Sequence, residues 1–122
     1  AIATTIIGDV KGKNAIRFDD EIDTAGSMLE TVKILEKYGA KKIYAGCTHG
    51  VLSDKAIEKI EKSPIEELVI TNTIPLTKEK QIRKIKVVSI APLFAETIRR
   101  LNRKLPLGEI LSGNIGMGEK NG

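Results

Sequence analysis

Three aspartates within five residues, Asp19, Asp20 and Asp23, lead directly into four small residues, Thr24, Ala25, Gly26 and Ser27. Acids so placed accept hydrogen bonds from sugar hydroxyls or meet a hydroxyl-bound Mg²⁺, while small side chains let backbone N–H groups close on an anion. Charge-assisted hydrogen bonds contribute about 1.5–3 kcal/mol each, so three or four of them, with the Thr24 and Ser27 hydroxyls, are enough to hold a dianionic phosphate. The layout is that of a sugar-phosphate clamp, with Asp19 and Asp20 addressing the sugar and Asp23 to Ser27 the phosphate.

A strand, a turn and a helix must position these groups. Ala15 to Phe18 is short, largely apolar and preceded by Gly12 and Asn14, which predicts a strand. Ala25, Met28, Leu29, Val32 and Leu35 have the spacing of one helical face, and Gly39 is a natural stop. Further on, strands are expected over Lys42 to Thr48, Glu67 to Asn72 and Ile85 to Ile90. A short helix capped by Ser53, with Ala56, Ile57 and Ile60 inward, ends before Pro64. Pro92 suits the first turn of a last helix with Phe94, Ile98 and Leu101 on one face. This order predicts an α/β fold, a mostly parallel sheet flanked by helices, whose ligands sit at the carboxyl ends of the strands near Asp19, Thr48 and Thr73.

Other chemistries fit the same residues less well. Asp19, Glu21, Asp23 and Glu30 take positions 1, 3, 5 and 12 of a calcium loop, but Thr24 stands at the sixth position, where glycine is required, and a strand precedes it. Neither a P-loop nor a dinucleotide fingerprint occurs. The plainest alternative is that Asp and Thr merely cap a helix. His49, the only histidine, has no acid or cysteine at metal-ligand or triad spacing and reads as a structural or subunit-contact residue. Thr71, Asn72 and Thr73 read either as polar lining of the same sheet edge or as simple strand termination. Cys47 reads as a small buried hydrophobe.

Composition sets outer bounds. The 122 residues are 41% hydrophobic and 30% charged, ordinary for a globular chain with a modest core. The net charge of +4 is spread among carboxylates, with only 3% aromatics, so no nucleic-acid partner is expected; the cluster Lys78, Lys80, Arg83, Lys84 and Lys86 reads as a solvated face. No stretch approaches 18 apolar residues and Ala1 to Ile7 does not read as a leader, so a cytoplasmic protein without a membrane partner is expected.

Phe18 to Ser27 resembles the phosphoribosyl-pyrophosphate motif of the type I phosphoribosyltransferase fold. Gly8 to Lys13, Cys47 to Ser53, Val69 to Pro75 and Leu93 to Arg100 narrow the resemblance, in order and spacing, to the C-terminal part of the ribose-phosphate pyrophosphokinase family, over about residues 5 to 104. Arg17 stands where that family usually has an aliphatic residue and Glu21 where it has an uncharged one, and the tail lacks the family's serine-containing sequence.

The resemblance implies a partial phosphoribosyltransferase-like domain over 1–104, and the glycines of the remaining 105–122 predict a mobile tail. It implies diphosphate transfer from ATP to ribose 5-phosphate, giving phosphoribosyl pyrophosphate and AMP, with Mg²⁺ as cofactor and a homo-oligomeric assembly. Asp19, Asp20, Asp23, Thr24, Ala25, Gly26 and Ser27 would bind ribose 5-phosphate, and Asp19 and Asp20 would meet Mg²⁺, if at all, through the ribose. Catalytic residues and most ATP contacts are expected upstream, so the chain is expected to be a fragment, inactive by itself. A non-catalytic, synthetase-associated regulatory subunit and a phosphoribosyltransferase are the alternatives.

Overall fold

A computed structural model describes residues 5–113. The described residues fall into two compact units that divide between Val88 and Ser89. The first holds β1 (Asn14–Ile22), α1 (Gly26–Lys37), β2 (Lys42–Gly50), α2 (Ala56–Glu61), β3 (Ile65–Thr71) and β4 (Ile85–Val88). All four strands are parallel, in the order β1-β2-β3-β4.

That order explains where the core sits. Parallel crossovers are right-handed, so successive crossovers that advance in one direction put α1 and α2 on the same face of the sheet. On that face Ala45, Cys47, Leu68 and Ile70 are buried with Met28 and Val32 of α1 and Ala56 and Ile60 of α2. Each fully buried aliphatic side chain of this kind contributes about 1.5–3 kcal/mol. On the other side of β1, Ile16 is 60% and Phe18 74% exposed.

The helical face expected from Ala25 to Leu35 is observed: Ala25, Met28 and Val32 are buried, and Leu29 and Leu35 pack partly against the core. Gly39 ends the helix at φ 85°, a conformation that costs glycine little. Strand bounds differ more. β1 runs on through Asp19, Asp20 and Glu21, past the expected end at Phe18, because pairing with β2 continues to Glu21 opposite His49 and Ile22 opposite Gly50. β3 begins two residues before Glu67, and β4 stops two before Ile90.

Ser53 does not cap α2. The residue preceding that helix is Lys55, and the Ser53 hydroxyl turns to Asp23 instead. Of the basic cluster, Lys80 donates to the Val51 carbonyl (3.2 Å) and Lys84 to the Ser63 carbonyl (2.7 Å), so these two lysines tie loops together rather than stand free on a solvated face.

The second unit holds α3 (Ala91–Asn102) and α4 (Gly108–Leu111). Pro92 lies in the first turn of α3 as expected, and Phe94, Ile98 and Leu101 are all exposed. Arg100 is its buried residue, donating to Glu96 (2.8 Å), Glu109 (2.8 Å) and the Pro106 carbonyl (2.7 Å). α4 falls within the segment expected to be tail; the glycines beyond Gly113, and the mobility expected of them, lie outside the described residues.

Candidate functional site: the turn between β1 and α1

The turn from β1 into α1 walls a cleft of about 160 Å³, bordered by Asp19, Glu21 and the run from Ile22 to Met28. Five of the seven expected binding residues, Asp23, Thr24, Ala25, Gly26 and Ser27, follow one another along its wall, and Asp19 also borders it. Asp20 is not part of that lining. Successive strand side chains point to opposite faces, so Asp20 leaves β1 on the side of Phe18, away from Asp19 and Glu21.

The start of α1 is not satisfied by a side chain of its own. Ala25, the residue before the helix, is left-handed (φ 66°), and no side chain caps the first turn. Neither Asp23 nor Thr24 therefore acts as the ordinary cap that their residue types allow. The leading N–H groups of α1 remain as donors, supported by the positive end of the helix dipole. A Cβ on Gly26 would meet only Thr24 Oγ1, at 3.8 Å, so the fold itself leaves room for a side chain there.

The loop after β2 fixes the turn. Val51 and Leu52 both donate their N–H to the Ile22 carbonyl at 3.0 Å, and Ser53 donates its N–H to the Asp23 carbonyl at 3.1 Å. The Ser53 hydroxyl also donates to Asp23 Oδ1, and Lys59 Nζ reaches the Thr24 carbonyl at 3.2 Å. Leu52 is fully buried at φ 51°, a left-handed conformation costly for a leucine and held by the packing around it. Ser53 and Lys59 are site residues that the sequence reading missed as such. Their partners lie 30 and 35 residues away, and no local pattern marks them.

The carboxylates are held individually. Asp19 Oδ2 accepts from Arg17 Nη2 (3.0 Å), and Asp19 Oδ1 accepts the Asp20 N–H (3.0 Å). Asp20 Oδ1 accepts the Glu21 N–H at 2.9 Å. Interaction with the Asp19 side chain first, and backbone N–H groups next, hold the Asp20 carboxyl below the usual carboxylate range. Behind Asp19, burial first and the Asp19 charge second push the Cys47 thiol up to about 11, which agrees with its reading as an inert, buried small side chain.

A second polar group lies at the ends of β2 and β3. Thr71 and Thr73 hydroxyls both donate to the Thr48 carbonyl, at 2.6 and 3.0 Å. His49 Nδ1 lies 2.8 Å from Thr73 Oγ1; with the hydroxyl proton directed at Thr48, Nδ1 is the donor of that pair. His49 and the threonines thus bond one another across two strands, and the acid facing His49 is Glu21, brought there by strand register. Among the described residues no group of three or more His, Cys, Asp or Glu side chains is arranged to hold a metal ion.

A family model described as "Phosphoribosyl synthetase-associated domain" matches residues 2–111. The ribose-phosphate pyrophosphokinase of Clostridium acetobutylicum is 58% identical over 106 residues, which cover 87% of this chain and 33% of that protein. That of Bacillus subtilis is 46% identical over 107 residues, 88% of this chain and 34% of the relative. The crystal structure of phosphoribosylpyrophosphate synthetase from Mycobacterium smegmatis superposes with a TM-score of 0.77 at 44% identity, over 80% of this chain and 33% of that one. The chain spans about a third of the length of the relatives it matches. With the parallel sheet and the β1–α1 turn in place, the match over 2–111 makes this chain a member of the phosphoribosyl synthetase-associated domain family.

Proposed function

We propose that this chain is the acceptor-binding part of a ribose-phosphate pyrophosphokinase and that its β1–α1 turn clamps ribose 5-phosphate. The uncapped start of α1 beside Asp19 carries the reading: unused N–H donors and a carboxylate face one cleft, which suits a phosphate joined to a hydroxyl-bearing sugar. Gly26 fits the same reading, since the room that the fold leaves at its Cα would let a phosphate oxygen approach the backbone.

In the reaction of such an enzyme the ribose 1-hydroxyl oxygen bonds to the β-phosphorus of ATP, the bond from that phosphorus to the α,β-bridging oxygen breaks, and AMP leaves. Catalysis of this kind depends on positioning and charge stabilisation. The turn would hold the 5-phosphate, Asp19 would accept a ribose hydroxyl, and Ser53 and Lys59 would keep the turn in shape. Asp20, on the far face of β1, would serve through its backbone N–H, which donates to Asp19 Oδ1.

The carboxylates of the described residues do not fit a protein-held Mg²⁺. Asp19 is engaged by Arg17, Asp20 points to the other face, and no metal-ligand group forms among the described residues. Mg²⁺ therefore belongs, in this reading, to the substrate phosphates. ATP contacts and catalytic groups would come from the two thirds of the relatives that the chain does not span, so the isolated chain is expected to release no AMP. Assembly as a homo-oligomer and a cytoplasmic location complete the proposal; among the described residues no helix is long and apolar enough to cross a membrane.

Calorimetry with ribose 5-phosphate, with and without Mg²⁺, tests the clamp on this chain and on the Asp19→Ala/Asp20→Ala variant. Saturable binding that the variant loses is the expected result. A folded chain that binds nothing would refute the assignment.

A further inference from the structure

Arg17 has no place in the apolar logic of β1. Strand alternation puts it on the face of Asp19 and Glu21, and register sets it opposite the small, buried Ala45, which leaves room for a guanidinium against the sheet. There Nη2 donates to Asp19 Oδ2 at 3.0 Å, while Nε is shut off from solvent with no acceptor. A buried donor without a partner destabilises the fold, and an unbranched apolar side chain of similar reach would remove the defect.

What the fold gains is control of Asp19. Arg17 holds Oδ2 and the Asp20 N–H holds Oδ1, so the carboxylate has one orientation where it borders the cleft. Each carboxylate oxygen accepts more than one hydrogen bond, so capacity remains for a ligand hydroxyl. The guanidinium charge beside it repels a cation from the same carboxylate.

We infer that Arg17 is a positioning residue, orienting Asp19 as an acceptor for a sugar hydroxyl and keeping divalent cations off it. Arg17 acts this way only if the turn is the clamp proposed above. The selectivity of the cleft for a sugar phosphate over bare phosphate is then set through Arg17, whereas phosphate affinity itself comes from the turn.

The test compares ribose 5-phosphate with inorganic phosphate by calorimetry on the 122-residue chain and on its Arg17→Met, Arg17→Lys and Asp19→Asn variants, with a thermal melt of each. Arg17→Met is expected to melt at or above the unsubstituted chain and to bind inorganic phosphate within about twofold of it. Its preference for ribose 5-phosphate should fall about tenfold, the worth of one charge-assisted hydrogen bond. Arg17→Lys, which keeps the charge, should recover part of that preference, and Arg17→Met should add little on top of Asp19→Asn. Retention of the full preference by Arg17→Met, or a parallel loss of both ligands, would overturn the role given to Arg17. A folded, unsubstituted chain with no preference between the two ligands would overturn the clamp itself, and the role of Arg17 with it.

Discussion

The unit ending at Val88 and the unit beginning at Ser89 are held together by different physics. The first buries a continuous set of aliphatic side chains from β1 to β4, with Leu52, Ile60 and Leu68 wholly inaccessible. In the second, α3 exposes Phe94, Ile98 and Leu101, and Arg100 is the buried residue, bonded to Glu96, Glu109 and the Pro106 carbonyl. Apolar burial involves no charge and is indifferent to pH, whereas ion pairs answer to pH and are screened by salt. The β1–α1 turn, with its left-handed Ala25, is thus mounted on the unit held chiefly by apolar burial.

The comparison breaks most clearly in the core. Leu68→Ala, at a site with no exposed surface, is expected to destabilise the first unit by about 2–5 kcal/mol, read from denaturant unfolding. A loss below about 1 kcal/mol would mean that this core is not close-packed.

Acid should single out the other unit. Hydrogen bonds from Arg99 and then Arg100 hold Glu96 down at about 2, against 4.5 ordinarily. A folded-state value below the unfolded one gives stability that is present above pH 4.5 and lost as pH falls toward 2. Hydrogen exchange at 91–111 should therefore speed up in that window ahead of exchange at 43–70. Simultaneous opening of both would erase the distinction.

The smallest effect concerns Cys47. With its thiol at about 11, roughly one molecule in ten thousand carries the thiolate at pH 7, so alkylation should await unfolding. Because the folded value lies above the ordinary 9.0, the folded state binds the proton more tightly, and stability should decline as pH rises from 9 toward 11. Rapid labelling of the native chain at pH 7 would contradict the burial of this side chain.

Local signals made much of this legible. The periodicity of Ala25 to Leu35 marked α1 and its buried face, and the run of small residues after Asp23 marked the turn that lines the cleft. Long-range pairing was not legible. Asp19, Asp20 and Glu21 read as the end of a strand, but register with β2 carries β1 through them, and that continuation separates Asp19 from Asp20 onto two faces. Ser53 read as a helix cap by residue type, yet its hydroxyl reaches Asp23 because the backbone of Val51, Leu52 and Ser53 hydrogen-bonds to Ile22 and Asp23. The left-handed backbone at Ala25 and Leu52 also leaves no trace in residue types that ordinarily avoid it.

The strand order has a bearing on solubility. β1 is an outer strand of its sheet among the described residues, and half of its hydrogen-bonding groups face no neighbour there. Such a strand invites another to add to it, and an apolar one would template aggregation. Here Arg17, Asp19, Asp20 and Glu21 would bring like charges close together in a parallel, in-register copy of β1, so the side chains assigned to ligand recognition also disfavour pairing of this strand with a copy of itself.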